Sequence, residues 1–197
     1  MKMLKQLMVA AVAVLMLSSC GYNSMVRDRE TVDEKWSNVE SQYQRRGDLV
    51  PNLVKIVKNY ADYEQETLTK VIEARSKAKS VTVDVANMTE ADLAKFQKVQ
   101  QSLKTSLGGA IDVLIERYPD LKANQNFLEL QAQLEGTENR IGTARMDFNE
   151  AARAYNTNIK SFPRTLYSGL FGFKRKPYFK AQEGSKNAPD VDEYFGS

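Results

Sequence analysis

The sequence predicts an all-α fold: a long antiparallel bundle of about four helices, followed by an irregular C-terminal segment rich in aromatic and basic residues. Three observations lead to this prediction. Apolar residues recur at helical spacing over most of residues 22–162, and the last of these stretches keeps one apolar seam over five heptads. No alternating, strand-like pattern is longer than residues 81–85. A chain of 197 residues is long enough for one such domain.

The N-terminus has the pattern of an exported protein that is processed at a cysteine. Two early lysines precede eleven apolar residues, Leu7–Leu17, and Leu17-Ser18-Ser19-Cys20 follows. A membrane-spanning helix needs ~20 apolar residues, so this segment is too short. The sequence therefore predicts a cleaved signal peptide over 1–19, a helical bundle over 20–162 anchored by lipid at Cys20, and an irregular tail over 163–197.

An acylated Cys20 determines both the location and the chemistry that we expect. Each buried CH₂ of an acyl chain adds ~0.8 kcal/mol of membrane affinity. The predicted location is the exported side of the cell membrane or outer membrane. A sulfur that carries lipid cannot act as a nucleophile, a metal ligand or half of a disulfide.

The composition argues against most enzyme classes. The chain contains no histidine and a single cysteine, so Ser-His-Asp and Cys-His catalysis and the usual zinc sites are excluded. No phosphate-binding loop or dinucleotide fingerprint is present, and we expect no cofactor and no metal. Without Lys2 and Lys5, 26 basic side chains face 25 acidic ones, a balance that gives no support for nucleic-acid binding.

The first two predicted helices are separated by a break. The first runs from about Tyr22 to Arg46. Gly47 and Pro51 are expected to kink or end it, and the second runs from about Pro51 to Ala78. The residues expected on the buried faces are Met25, Val32, Trp36, Val39 and Tyr43, then Leu53, Val57, Ala61, Leu68, Val71 and Ile72.

The next two helices have clearer limits. Thr89 and Asp92 form a candidate capping box for a third helix that runs to Tyr118, and its interior Gly108-Gly109 predicts either a close backbone approach or a break. The fourth helix runs from about Asn126 to Phe162, where Pro163 stops it. Its two seams are Phe127, Leu134, Ile141, Phe148, Tyr155 and Phe162, and Leu130, Thr137, Ala144 and Ala151.

Several separate motifs follow one another along the chain. They are the runs at 45–54, 118–124, 134–141 and 155–163 and Phe171-Gly172-Phe173, and together they extend over nearly the whole mature region. In this order they resemble the LemA family of bacterial membrane-associated proteins. The resemblance implies a long antiparallel helical bundle with an N-terminal membrane attachment, and it supplies no catalytic residues. Many relatives are attached by a membrane helix, whereas this sequence presents a lipid-modification motif.

Two groups of polar residues are candidates for binding a partner. Arg45, Arg46 and Asp48 could bind a carboxylate or phosphate, or they could tie helix ends together by ion pairs. A second group follows one side of the fourth helix and could line a groove for a peptide or a partner helix. Its alternative role is to fix the register of the bundle. Its members are Glu138, Arg145, Asn149 and Asn156.

The tail mixes aromatic and basic side chains, a composition typical of segments that contact lipid headgroups. The alternative is that its aromatic rings pack on the bundle while its cations stay in water. The candidate membrane-contact residues are Phe171, Phe173, Lys174, Arg175, Lys176, Tyr178, Phe179 and Lys180.

These observations favour a non-enzymatic interaction or scaffold protein of the bacterial envelope, held at the membrane through Cys20 and serving a protein partner. One alternative is a membrane-surface-binding protein that uses the basic and aromatic tail. The other is a carboxylate-dependent envelope hydrolase, with Glu135 and Glu138, or Glu64 and Glu66, as candidate pairs. A hydrolase would require two carboxyl groups ~5–10 Å apart across a cleft.

Overall fold

The computed structural model describes the backbone of residues 2–58 and 65–180, and the side chains of that part from Gly21 onward. This part contains four α-helices and no strand, which confirms the predicted all-α fold. They are α1 Lys2–Lys58, α2 Gln65–Ser80, α3 Glu90–Arg117 and α4 Gln125–Lys160. Short 3₁₀ helices, Pro119–Ala123 and Arg164–Leu166, follow α3 and α4. The predicted acylation of Cys20 concerns a side chain outside the described part.

The predicted break near residue 50 is wrong. α1 is one helix of 57 residues that begins before Tyr22 and includes Pro51, and at 1.5 Å per residue it is ~85 Å long. The second helix begins at Gln65 rather than Pro51, and Ile72 on it is exposed instead of buried. The predicted core position Ala61 lies outside the described residues.

Local sequence signals set the limits of α3 and α4. The Asp92 backbone N–H donates to Thr89 Oγ1, and the Asp92 carboxylate accepts from the Thr89 backbone N–H, so the predicted capping box is confirmed. Asn124 accepts from the Phe127 N–H at 3.0 Å and caps α4. α3 continues through Gly108 and Gly109, and nothing approaches either glycine closely. The expected break or close backbone approach is therefore wrong.

The helices run up and down in sequence. α4 lies antiparallel to the part of α1 that follows Gly21, since Arg46 contacts Glu138 and Asp28 contacts Asn158. α2 packs against α3 and the second half of α1. Pairing of neighbours in this order is the arrangement expected of an antiparallel bundle.

Two apolar cores lie end to end along the bundle. One joins the second half of α1 to α2, α3 and the start of α4, and it includes Leu53, Val71, Leu107, Leu114 and Phe127. The other joins the first described half of α1 to α4 and the start of α3. Its centre is Trp36, whose ring lies 5.2 Å from the Phe96 ring and 5.4 Å from the Phe148 ring, measured between centroids. Phe173 and Phe179 of the tail complete this second core.

No helix has a stretch long and apolar enough to cross a membrane, in the portion of the chain whose side chains are described.

Candidate functional site

The predicted polar cluster at 45–48 lies where all four helices meet. Arg46 is almost completely buried. Its Nη1 donates to Glu138 Oε1 on α4 at 2.9 Å, and its Nη2 donates to the backbone and side-chain oxygens of Gln100 on α3 at 2.7 and 2.8 Å. The planar guanidinium presents its donors in a fixed fork, and two of its nitrogens reach the two helices at once. Arg46 therefore fixes the spacing of α1, α3 and α4.

The two neighbours of Arg46 behave differently. Arg45 is exposed. Asp48 is also exposed, and it contacts Arg75 of α2 at 3.5 Å. Such a contact near the surface adds little stability. Of the three predicted residues, the structure makes Arg46 and Asp48 part of contacts between helices and leaves Arg45 free for a partner.

Arg75 explains how α1 passes through Pro51. Proline has no N–H, so the carbonyl four residues earlier, on Gly47, loses its helical donor. Arg75 Nε donates to that Gly47 oxygen at 2.6 Å. The hydrogen bond that the proline removes within α1 is thus replaced by one between α1 and α2.

The polar stripe of α4 holds a segment of the chain itself, residues 173–180, which we call the tail segment. Asn156 Nδ2 donates to the Lys176 carbonyl at 2.8 Å, and Asn156 Oδ1 accepts from the Lys176 N–H at 2.9 Å. Asn149 binds both backbone groups of Phe179 in the same way, at 3.0 and 2.8 Å. Each amide side chain thus bonds the N–H and the C=O of one tail residue, as the backbone of a neighbouring strand would.

The spacing of the two asparagines matches that of the tail segment. Seven helical residues rise ~10.5 Å, and three residues of extended chain span ~10 Å. Further along the stripe, Arg145 donates to the Lys180 carbonyl at 3.0 Å and its guanidinium lies 4.8 Å from the centre of the Phe179 ring. Three of the four predicted stripe residues, Arg145, Asn149 and Asn156, thus bind a segment of the same chain.

Three of the eight predicted membrane-contact residues are buried against the bundle. Phe173 and Phe179 join the Trp36 core, and Lys176 is only 2% exposed. These three side chains are covered by protein, so they are unavailable to a membrane, and this part of the prediction is wrong. The other five are exposed or half-buried: Phe171, Lys174, Arg175, Tyr178 and Lys180.

Lys176 is a buried cation with few charged neighbours. Its Nζ donates to the carbonyls of Val85 and Ala86 in the loop between α2 and α3. Burial lowers the pKa of Lys176, while the nearby carboxylate of Asp33 acts in the opposite direction. Burial also raises the pKa of Asp33. The lysine therefore joins the tail segment to a loop on another side of the bundle.

An open groove of about 660 Å³ lies between α3 and α4. α3 and α4 make few direct contacts, and α1 forms part of the lining. Its charged lining residues are the cations Arg46, Lys98, Lys104, Arg145 and Lys180 and a single carboxylate, Glu138. Lys98 and Lys104 were missed by the sequence reasoning, because the groove exists only once α3 stands beside α4. We call this feature the basic groove.

A second feature, of which the sequence reasoning identified only Phe171, is apolar and exposed. Phe162, Leu166 and Leu170 are 81%, 69% and 86% exposed, and Phe171 is 57% exposed. These residues follow α4 in the chain. Phe171 contacts Tyr22 of α1, with ring centres 5.2 Å apart. Their spacing of about four residues was a usable signal, but Phe162 had been placed on the buried seam. We call these four residues the end patch.

The hydrolase alternative requires a pair of carboxylates across a cavity. Each of four cavities in the described part is lined by a single carboxylate. Glu138 is bound by Arg46 and, at 3.2 Å, by Lys104, and Glu64 lies outside the described residues. Among the described residues, no group of three histidine, cysteine, aspartate or glutamate side chains is placed to hold a metal ion.

The fold and these contacts define a class of protein: a helical bundle that binds its own tail along a polar stripe and leaves a basic groove open. The chain belongs to the LemA family, whose model, described as LemA family, matches residues 35–192. The resemblance drawn from the sequence motifs is confirmed.

Individual relatives are similar over most of the chain. Magnetosome protein MamQ 2 of Paramagnetospirillum magneticum is 29% identical over 188 residues, which cover 87% of this chain and 68% of that protein. Magnetosome protein MamQ of Magnetospirillum gryphiswaldense is 28% identical over the same shares of both chains. Protein LemA of Metamycoplasma hominis is 25% identical over 171 residues, covering 87% of this chain and 74% of that protein.

Proposed function

We propose that this chain is a non-enzymatic interaction or scaffold protein of the bacterial envelope, anchored by lipid at Cys20 on the exported side of the cell membrane or outer membrane. It binds a protein partner in the basic groove. The observation that carries the proposal is the groove itself, an open cleft of about 660 Å³ with five cations and one carboxylate.

The chemistry of the groove favours an acidic protein segment as its occupant. Arg46 and Lys104 are partly neutralised by Glu138, whereas Lys98 is exposed on the wall formed by α3. The amide side chains of Gln97 and Gln101 also line the groove, where Gln97 donates to the Lys180 carbonyl and Gln101 to the Thr105 hydroxyl. Charge complementarity of this kind speeds association and selects the partner.

The membrane attachment rests on the sequence of residues 1–20, which has the order of a lipoprotein signal. The two alternatives have different support. Nothing favours the hydrolase, since no described cavity brings two carboxylates together. A second membrane contact is supported by the end patch.

Crosslinking in intact cells, followed by mass spectrometry, tests the proposed partner binding. We compare the wild type with Lys98→Glu, which reverses one exposed charge in the groove and leaves the Arg46–Glu138–Lys104 contacts in place. One protein should be captured in an amount near that of the wild-type bait, and its capture should fall at least tenfold in this variant.

The matched control is Lys95→Glu, which changes the net charge equally at an exposed position of the same helix outside the groove. This control should capture the partner as the wild type does. Equal capture by the groove variant, or capture of no protein by the wild type, would remove the support for the groove as a partner site. Labelling of Cys20 by a thiol reagent in the mature protein would contradict the anchor separately.

A further inference from the structure

The end patch is an unusual concentration of exposed apolar side chains. Phe162, Leu166, Leu170 and Phe171 lie within ten residues and are 57–86% exposed. The other large apolar side chains that are exposed in the described part, apart from Tyr22 beside the patch, lie far from one another: Ile72 on α2, and Leu128 and Met146 about five turns apart on α4. Scattered residues of that kind are normal, whereas a contiguous patch marks a binding surface.

The position of the patch indicates what covers it. The loop after α4 packs closely against Gly21 of α1. A Cβ at Gly21 would collide with the Tyr167 hydroxyl and meet the Arg164 side chain. Tyr22 contacts both Phe171 and Phe173. Gly21 follows Cys20 directly, so the patch lies at the end of the bundle that an acylated Cys20 would hold against the bilayer.

The charges within the chain segment that carries the patch are of one sign. No aspartate or glutamate occurs between residues 151 and 182. Exposed or half-buried cations at Lys160, Arg164, Lys174 and Arg175 lie in the same segment. Cations around an apolar surface favour contact with a membrane that contains anionic lipid, because each one gains from the negative surface potential.

We propose that the end patch inserts into the membrane interface and forms a second attachment beside the lipid anchor, with its basic neighbours on anionic headgroups. The inference rests on the proposed anchoring at Cys20. A second contact fixes the direction of the long axis, whereas a lipid anchor alone leaves the bundle free to tilt. Glu138 precedes Lys160 by 22 residues of helix, so the basic groove would lie ~33 Å from the membrane-facing end.

Depth-dependent quenching in vesicles tests this arrangement. The full-length lipidated protein is reconstituted into phosphatidylethanolamine–phosphatidylglycerol vesicles (7:3) that contain a lipid with a nitroxide on its acyl chain. Leu170→Cys is labelled with an environment-sensitive fluorophore. The matched control is Leu128→Cys, an exposed leucine at the other end of α4.

We expect quenching of the label at position 170 to be at least five times that at position 128. Replacing phosphatidylglycerol by phosphatidylcholine should reduce the quenching at position 170, because the basic neighbours lose their anionic partners. Equal, weak quenching at the two positions in protein that still floats with the vesicles would overturn the proposal while leaving the anchor intact.

A second copy of the chain on the patch would also overturn the proposal. Such a dimer is detected as a disulfide between two unlabelled Leu170→Cys chains after mild oxidation, in vesicles holding many copies. Protein that no longer floats with the vesicles at all would contradict the anchor instead. The two failures are therefore distinguishable.

Discussion

Two asparagine side chains of α4 bind the backbone of the tail segment as a neighbouring strand would. Asn149 and Asn156 each pair with the N–H and C=O of one tail residue, so these backbone groups remain bonded although they lie against a helix. Buried backbone groups without partners are costly. The stripe was identified from spacing alone, but its occupant could not be, because the tail sequence has no periodic pattern that points to α4.

Asn156→Ala should destabilise the protein by about 3 kcal/mol, because the backbone N–H and C=O of the buried Lys176 lose their partners. The free energy of unfolding is measured by denaturant titration, and hydrogen exchange should become faster at the Lys176 amide. Asn139→Ala, at an exposed position of α4, is the control and should change stability by less than about 0.5 kcal/mol. Similar small effects of both substitutions would show that the pairing contributes little.

Burial of Lys176 predicts a pH-dependent stability. Its pKa in the folded protein is lowered by burial from the ordinary 10.5, while Asp33 and Asp84 act to raise it and Arg29 to lower it. Between the lowered pKa and 10.5 the unfolded chain binds more protons than the folded one, so stability contributed by Lys176 rises with pH. Relative to Lys176→Met, the wild type should gain stability from pH 7.5 to pH 10 in denaturant titrations. A difference that stays constant would contradict the lowered pKa.

At the level of the helix, α1 shows where local sequence rules fail. Gly47 and Pro51 favour a break when the segment is considered alone. The helix nevertheless continues, because Arg75, 28 residues further along the chain, donates to the Gly47 carbonyl. No local pattern reports this contact, since it depends on α2 lying beside α1.

A double-mutant cycle tests this explanation. Pro51→Ala restores an N–H to the Gly47 carbonyl within α1, so Arg75→Met should cost less stability in that background than in the wild type. We expect a coupling of about 1–2 kcal/mol between the two positions. Lys77→Met, also on α2 but absent from this contact, should show no coupling with Pro51→Ala. Additive effects of Pro51 and Arg75 would contradict the replacement of one hydrogen bond by the other.

α3 and α4 were predictable because their signals are local. The capping box at Thr89 and the seam from Phe127 to Tyr155 need no distant partner, and both are present. Phe162 was misplaced because the sequence period continues past the last helical residue, Lys160. The basic groove could not be predicted, since its two walls belong to helices that are separate in the sequence.

For the whole molecule, the tail segment is part of the core. Phe179 lies 6.0 Å from Trp36, ring centre to ring centre, and Phe173 packs in the same core. The chain contains one tryptophan, so its fluorescence reports on this core alone. The tail therefore contributes to the stability of the bundle, although its composition resembles that of a surface segment.

Truncation after Gly172 should expose Trp36 and lower the melting temperature by several degrees, because two buried aromatic rings are lost. The red shift of tryptophan emission measures the exposure. Truncation after Lys180 keeps the tail segment and is the control, and its emission should match that of the full chain. An unshifted emission maximum after the shorter truncation would show that the tail segment is dispensable for this core.

The match of seven helical residues to three tail residues makes the pairing of α4 with the tail segment sensitive to changes in chain length. One residue inserted between Lys176 and Phe179 would carry the next backbone pair ~3.4 Å past its asparagine, and one inserted between Asn149 and Asn156 would turn one amide by ~100° away from the tail. Residues 162–172 have no such backbone pairing with asparagines of α4. Changes in chain length should therefore be tolerated better in that loop than on either side of it.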